Sequence, residues 1–72
     1  MEASLSVIIP AYSPRNEFPE LLSALTQQYS RDPFEIIVVD DGSPNTGRNH
    51  IRRSVEKADQ ESSDVTVSLV RL

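Results

Sequence analysis

Two short stretches of this chain carry side chains able to recognise a ligand: Pro10-Ala11-Tyr12-Ser13 and, further along, Asp40-Asp41-Gly42-Ser43. A carboxylate can accept a hydrogen bond from a pyrimidine imide N–H or a ribose hydroxyl, and a tyrosine ring offers a flat face on which a base can stack. This is nucleoside chemistry more than bare phosphate chemistry. Pro10 sets the direction of the chain and has no N–H to leave unsatisfied, while Gly42 permits a tight turn. With only Gly42 and Gly47 present, neither G-x-G-x-x-G nor a P-loop can be written, which excludes phosphate cradling by a glycine-rich loop. Blander readings exist for both stretches. The acidic one is also a strand end with turn-forming, helix-capping residues, and Tyr12 is also an amphipathic cover for a sheet end. The two adjacent carboxylates weigh towards function, because like charges side by side need a compensating donor, cation or solvent.

These residues must be held by the elements around them, and the apolar pattern predicts β-α-β-α-β. Leu5-Ser6-Val7-Ile8-Ile9 and Phe34-Glu35-Ile36-Ile37-Val38-Val39 are near-continuous runs rich in β-branched residues, as parallel strands buried on both faces require. Val65-Thr66-Val67-Ser68-Leu69 alternates strictly, which predicts a strand with one wetter face, at a sheet edge. Phe18, Leu22, Leu25 and Tyr29 recur with helical spacing, with Asn16 as N-cap, Pro19 in the first turn and Asp32-Pro33 as the stop. Ile51, Val55 and Ala58 mark a narrower second helix capped by Ser43 or Asn45, on which His50 reads as a surface residue.

Parallel strands need crossovers, and these are right-handed in about 98% of cases. The rule leaves two orders open. With strand two in the middle, both helices share one face of the sheet, leaving apolar residues of the first two strands bare on the other. The expectation is then that polypeptide is missing after Leu72 and that residues 1–72 open a longer α/β domain. With strand one in the middle, each face receives one helix. In an open α/β sheet, ligands collect outside the carboxyl ends of the strands. If strands one and two are neighbours, the two loops start about 5 Å apart and can wall one pocket.

Composition narrows the classes. Among 72 residues, 7 Lys and Arg stand against 11 Asp and Glu, a net charge of −4 that opposes phosphate-backbone binding and makes nucleic acid an unlikely partner. Arg48, Arg52 and Arg53 read as part of a solvated charge mosaic with Glu56 and Asp59. There is no cysteine and one histidine, so disulfides, thiolate metal sites and histidine clusters are excluded. No apolar stretch approaches the ~20 residues of a membrane span, and the start lacks a signal-peptide pattern. A cytoplasmic location is expected, or the cytosolic face of a membrane.

Ser6-Val7-Ile8-Ile9-Pro10-Ala11-Tyr12, a helix ending Leu25-Thr26-Gln27-Gln28-Tyr29, and Phe34-Glu35-Ile36-Ile37-Val38-Val39-Asp40-Asp41-Gly42-Ser43 together resemble the N-terminal signature of family 2 glycosyltransferases. The resemblance implies a GT-A fold: a Rossmann-like sheet, here its three-stranded parallel opening unit, that binds a nucleotide-diphospho-sugar and usually transfers the sugar with inversion. Carried over by position, Pro10, Ala11 and Tyr12 would line the base and ribose, Val39 would back them, and Asp41 would hydrogen-bond the base. Asp40 would support the turn or the ribose side. Ser13 and Pro14 depart from the Asn, sometimes followed by Glu, often found there in the family, and Asn45 replaces an acidic residue.

In the family, the D-x-D motif that holds a divalent cation, Mg or Mn, lies downstream, as do the catalytic base and the acceptor site. An inverting transfer needs a base to deprotonate the acceptor and a cation or positive group to stabilise the departing nucleotide diphosphate. The resemblance therefore implies a full-length enzyme with a nucleotide-sugar donor and an acceptor the sequence does not name. It also implies no transferase activity in these residues alone. The rivals are a non-catalytic receiver-like domain, which would want an aspartate ending the third strand where Val70-Arg71-Leu72 stand, and a degenerate α/β domain.

Overall fold

The computed structural model describes residues 5–27, 34–62 and 64–72. Strand β1 (Leu5–Ala11), helix α1 (Glu17–Gln27), strand β2 (Phe34–Asp40), helix α2 (Asn45–Glu61) and strand β3 (Val65–Arg71) follow in that order. The alternation of β-branched runs with helical spacings thus folds as the pattern predicts. The strands form one parallel sheet in the order β1-β2-β3, which resolves the topological choice in favour of a central second strand.

Right-handed crossovers added in one direction put both helices on one face. Accordingly α1 packs against α2, and α2 lies over β3. The strand residues pointing under the helices are Val7, Ile9 and Ala11 of β1, Phe34, Ile36, Val38 and Asp40 of β2, and Val65, Val67 and Leu69 of β3, matched across the register. Phe18 and Leu22 of α1 and Ile51, Val55 and Ala58 of α2 close the core over them. Both helices present a narrow apolar stripe because only one side has anything to cover. The opposite sheet face, with Ile8, Pro10, Ile37, Val39 and Val70, has no layer on it among the described residues. Ile8 is 63% exposed, whereas Ile36 is 0% exposed.

The helix starts follow from what their capping candidates do elsewhere. α1 begins directly after Asn16 with Pro19 in its first turn, where the missing N–H removes no helix bond. Tyr29 and the Asp32-Pro33 stop lie outside the described residues. For α2 the predicted caps are corrected: Pro44 holds the N-cap position with no side-chain cap hydrogen bond. Ser43 does not cap, because its hydroxyl accepts the Ser13 N–H at 2.9 Å. Asn45 lies within the helix and its Oδ1 accepts from the Arg48 guanidinium. At the predicted sheet edge, Asp59 of α2 accepts the Val67 N–H at 2.9 Å, satisfying a backbone donor that an edge strand would leave open.

Candidate functional site

The ends of β1 and β2 are neighbours, with Pro10 in register with Val39 and Ala11 with Asp40. Beyond the strands the pairing continues for one more bond, Asp41 N–H to the Ala11 carbonyl at 3.0 Å, so the two loops leave the sheet side by side. On the far side, Leu72 N–H donates to the Asp40 carbonyl at 3.0 Å, which brings the end of β3 to the same edge. All six candidate residues therefore gather at the carboxyl end of the sheet.

They divide by exposure. Tyr12, 64% exposed, and Asp41 project at the loop tips, and Pro10 and the half-buried Val39 lie on the uncovered face. The edge thus carries an exposed ring and an exposed carboxylate at its tips, with apolar residues on the uncovered face behind them. Ala11 and Asp40 point under the helices and are buried. Pro10, Ala11 and Tyr12 also border an open groove of about 390 Å³ that runs along β1 to Phe18 and Leu21 of α1. Val39, Asp40 and Asp41 do not line that groove.

Asp40 is 0% exposed, and its hydrogen bonds are those of turn support. Its Oδ1 accepts the Ser43 N–H at 2.9 Å. Its Oδ2 makes no hydrogen bond and is compensated by the Arg71 guanidinium, whose Nε lies 3.5 Å away. Burial pushes the carboxyl up, but hydrogen bonds from the Ser43 hydroxyl and amide, with the charges of Arg71 and Arg48, outweigh it and hold Asp40 below the ordinary aspartate value. The carboxylate is thus charged, buried and committed to its neighbours. Gly42, at φ +77°, makes the intervening turn in a conformation that favours glycine.

The structural roles of three residues are not legible in the sequence. In the sequence Arg71 reads only as the wrong residue for a receiver domain, yet the register Asp40↔Arg71 places it beside the buried acid. Ser13 adopts φ +40°, a left-handed conformation uncommon for a residue with a β-carbon. Gly47 lets α2 approach it, since a Cβ at Gly47 would lie 2.7 Å from Ser13 Oγ and 3.0 Å from Ser13 Cα. Arg71 lies beyond the third predicted strand, Val65–Leu69, so its partner follows only from the strand order and register.

Among the described residues no group of three or more His, Asp or Glu is placed to hold a metal ion. Asp40 is held by Arg71 and Ser43, and Asp41 stands alone as an exposed carboxylate, so the residues described do not fit a divalent-cation site. Nor is any helix among them long and apolar enough to cross a membrane.

A parallel β-α-β-α-β sheet with its two βα loops meeting at the carboxyl edge defines a Rossmann-like α/β unit. Residues 6–67 match the family described as Glycosyl transferase family 2, and the chain belongs to that family. It is 40% identical over 58 residues to an undecaprenyl-phosphate 4-deoxy-4-formamido-L-arabinose transferase from Pseudomonas syringae pv. syringae, covering 76% of this chain and 17% of the relative. It is 39% identical over 67 residues to a dolichol-phosphate mannosyltransferase from Pyrococcus furiosus, covering 93% of this chain and 17% of the relative. An uncharacterized glycosyltransferase from Haemophilus influenzae is 54% identical over 39 residues, 54% of this chain and 13% of that one. The chain thus spans 17% of the length of the first two. No solved structure matches it at the same stringency.

Proposed function

We propose that these residues form the nucleotide-binding opening of an inverting, metal-dependent glycosyltransferase and contribute the wall that receives the base and ribose of a nucleotide-diphospho-sugar. In this reading Tyr12 stacks on the base, Asp41 accepts a hydrogen bond from it, Pro10 and Val39 line the cleft from the uncovered face, and Ala11, buried under the helices, ties the two loops together through its carbonyl. The reading is carried by one observation: the Asp41–Ala11 backbone bond, which joins an aromatic tip and a carboxylate tip at one sheet edge. The ligands of the divalent cation, the catalytic base and the acceptor site would lie in further polypeptide, which would also cover the bare sheet face, and the 72 residues alone would transfer no sugar. The names of the undecaprenyl-phosphate and dolichol-phosphate relatives support a lipid phosphate as acceptor, and such an acceptor would place the transfer at a membrane surface.

The test is titration of the chain with uridine and guanosine diphosphates, beside Asp41→Ala and Tyr12→Ala. Loss of one hydrogen bond or one stacked ring weakens binding by about tenfold, corresponding to roughly 1.4 kcal/mol. Equal affinity in all three proteins removes the site.

A further inference from the structure

We infer that Ser43 is a positioning residue: a latch, braced by Asp40 and Arg71, that holds the Ser13 turn in its left-handed conformation and thereby fixes where Tyr12 stands. Its consequence for nucleotide affinity rests on the cleft proposed above, whereas the latch itself does not.

The chain of contacts crosses all three strand ends. Arg71, closing β3, faces the Asp40 carboxylate at 3.5 Å. Asp40, closing β2, takes the Ser43 N–H at 2.9 Å. Ser43, itself buried at 5% exposure, offers its Oγ to the Ser13 N–H at 2.9 Å, across 30 residues of sequence. Ser13 follows Tyr12 directly, in the loop that leaves β1.

A latch is needed because the turn does not hold itself. A residue with a β-carbon in the left-handed region carries roughly 1–2 kcal/mol of backbone strain and persists only where its surroundings determine it. Two surroundings do so here. The Ser43 hydroxyl captures the Ser13 N–H, and Ser13 sits so close to α2 that a Cβ at Gly47 would lie 2.7 Å from its Oγ and 3.0 Å from its Cα. The serine also solves an accounting problem: without it, the Ser13 N–H would have no acceptor in a part-buried position. The Asp40 carboxylate holds the loop that carries Ser43 through the Ser43 N–H, and Arg71 compensates the charge that this demands.

Three variants test this by hydrogen exchange of the Ser13 amide and by the ring resonances of Tyr12, with the Ile36 and Val38 amides of the central strand as internal reference. In Ser43→Ala the Ser13 amide should exchange at least about tenfold faster and the Tyr12 ring shift, while the central strand stays protected. Ser43→Thr keeps the acceptor and should restore both. Gly47→Ala, which touches no hydrogen bond of the latch, should displace the same turn by crowding Ser13 and reproduce the Tyr12 shift. Where Ser43→Ala unprotects the central strand as well, Gly47→Ala and the threonine rescue decide. Unchanged Ser13 exchange and Tyr12 resonances in Ser43→Ala and Gly47→Ala overturn the latch. A wild-type chain whose Ser13 amide responds as expected but which binds neither uridine nor guanosine diphosphate upholds the latch and removes the cleft. With binding present, the latch variants should weaken it about tenfold.

Discussion

The two faces of this sheet are built from the same kinds of residue and meet opposite fates. Ile36 and Ile37 are adjacent in β2, yet Ile36 is 0% exposed beneath the helices while Ile37 is only half-buried on the face without a layer. Ile9 packs against the core and Ile8, one step away, is exposed. A strand alternates its side chains between faces, so what separates these pairs is only where the crossovers send the helices. Hydrophobicity in a strand therefore reports a demand for cover, and topology decides which half of the demand the chain meets itself.

The contrast is sharpened most by truncating one side chain on each face. Ile36→Ala removes packing atoms from the centre of a core that α1 and α2 close, and buried Ile→Ala changes cost about 2–5 kcal/mol. A domain this small has little stability beyond that. Urea unfolding followed by circular dichroism should show the variant largely unfolded in water. A loss below about 1 kcal/mol would mean that the helices do not pack on the sheet as described.

The next effect in size belongs to the buried carboxylate on the covered face. Asp40→Asn keeps an acceptor for the Ser43 N–H but removes the charge facing Arg71, and hydrogen bonds to charged groups contribute about 1.5–3 kcal/mol. The pH dependence follows from the lowered pKa. Because the folded value lies below the ordinary 3.8, the carboxylate's stabilising contribution is full above that pH. It is lost as the pH falls through the folded value. Glu17, lowered chiefly by its hydrogen bond from the Arg15 N–H, acts in the same direction. Wild-type stability should thus fall more steeply with acidification below pH 3.8 than that of Asp40→Asn. Parallel acid titrations would show that the buried carboxylate is not the source.

The sequence made the covered face legible and left the edge chemistry half-read. Spacing alone identified Ile51, Val55 and Ala58 as the buried stripe of α2, because helical period and a one-sided core are local consequences of residue type. Both strand orders left open place β1 beside β2, so the neighbouring tips follow from either, whereas handedness alone does not choose the central strand. The roles of Ser43 and Arg71 were out of reach, since each depends on a partner in another element. Ser43 read as a cap because serine is a good cap, and its hydroxyl is instead committed to Ser13, 30 residues earlier.

The smallest expected effect tests the other half of the comparison. Ile8→Ser replaces an exposed isoleucine on the bare face, so it should change the stability of this chain by no more than about 0.5 kcal/mol. The same change should lower binding of a hydrophobic dye, because Ile8 lies in one apolar patch with Ile37, Val39 and Val70. A large destabilisation would carry a different meaning here than at Ile36, since an exposed side chain has no intramolecular packing to lose. It would require that the face be covered by a second copy of the chain, and midpoint temperatures that rise with protein concentration would identify that case. A small change at all concentrations leaves the face open, with one half of the sheet's demand for cover unmet within these 72 residues.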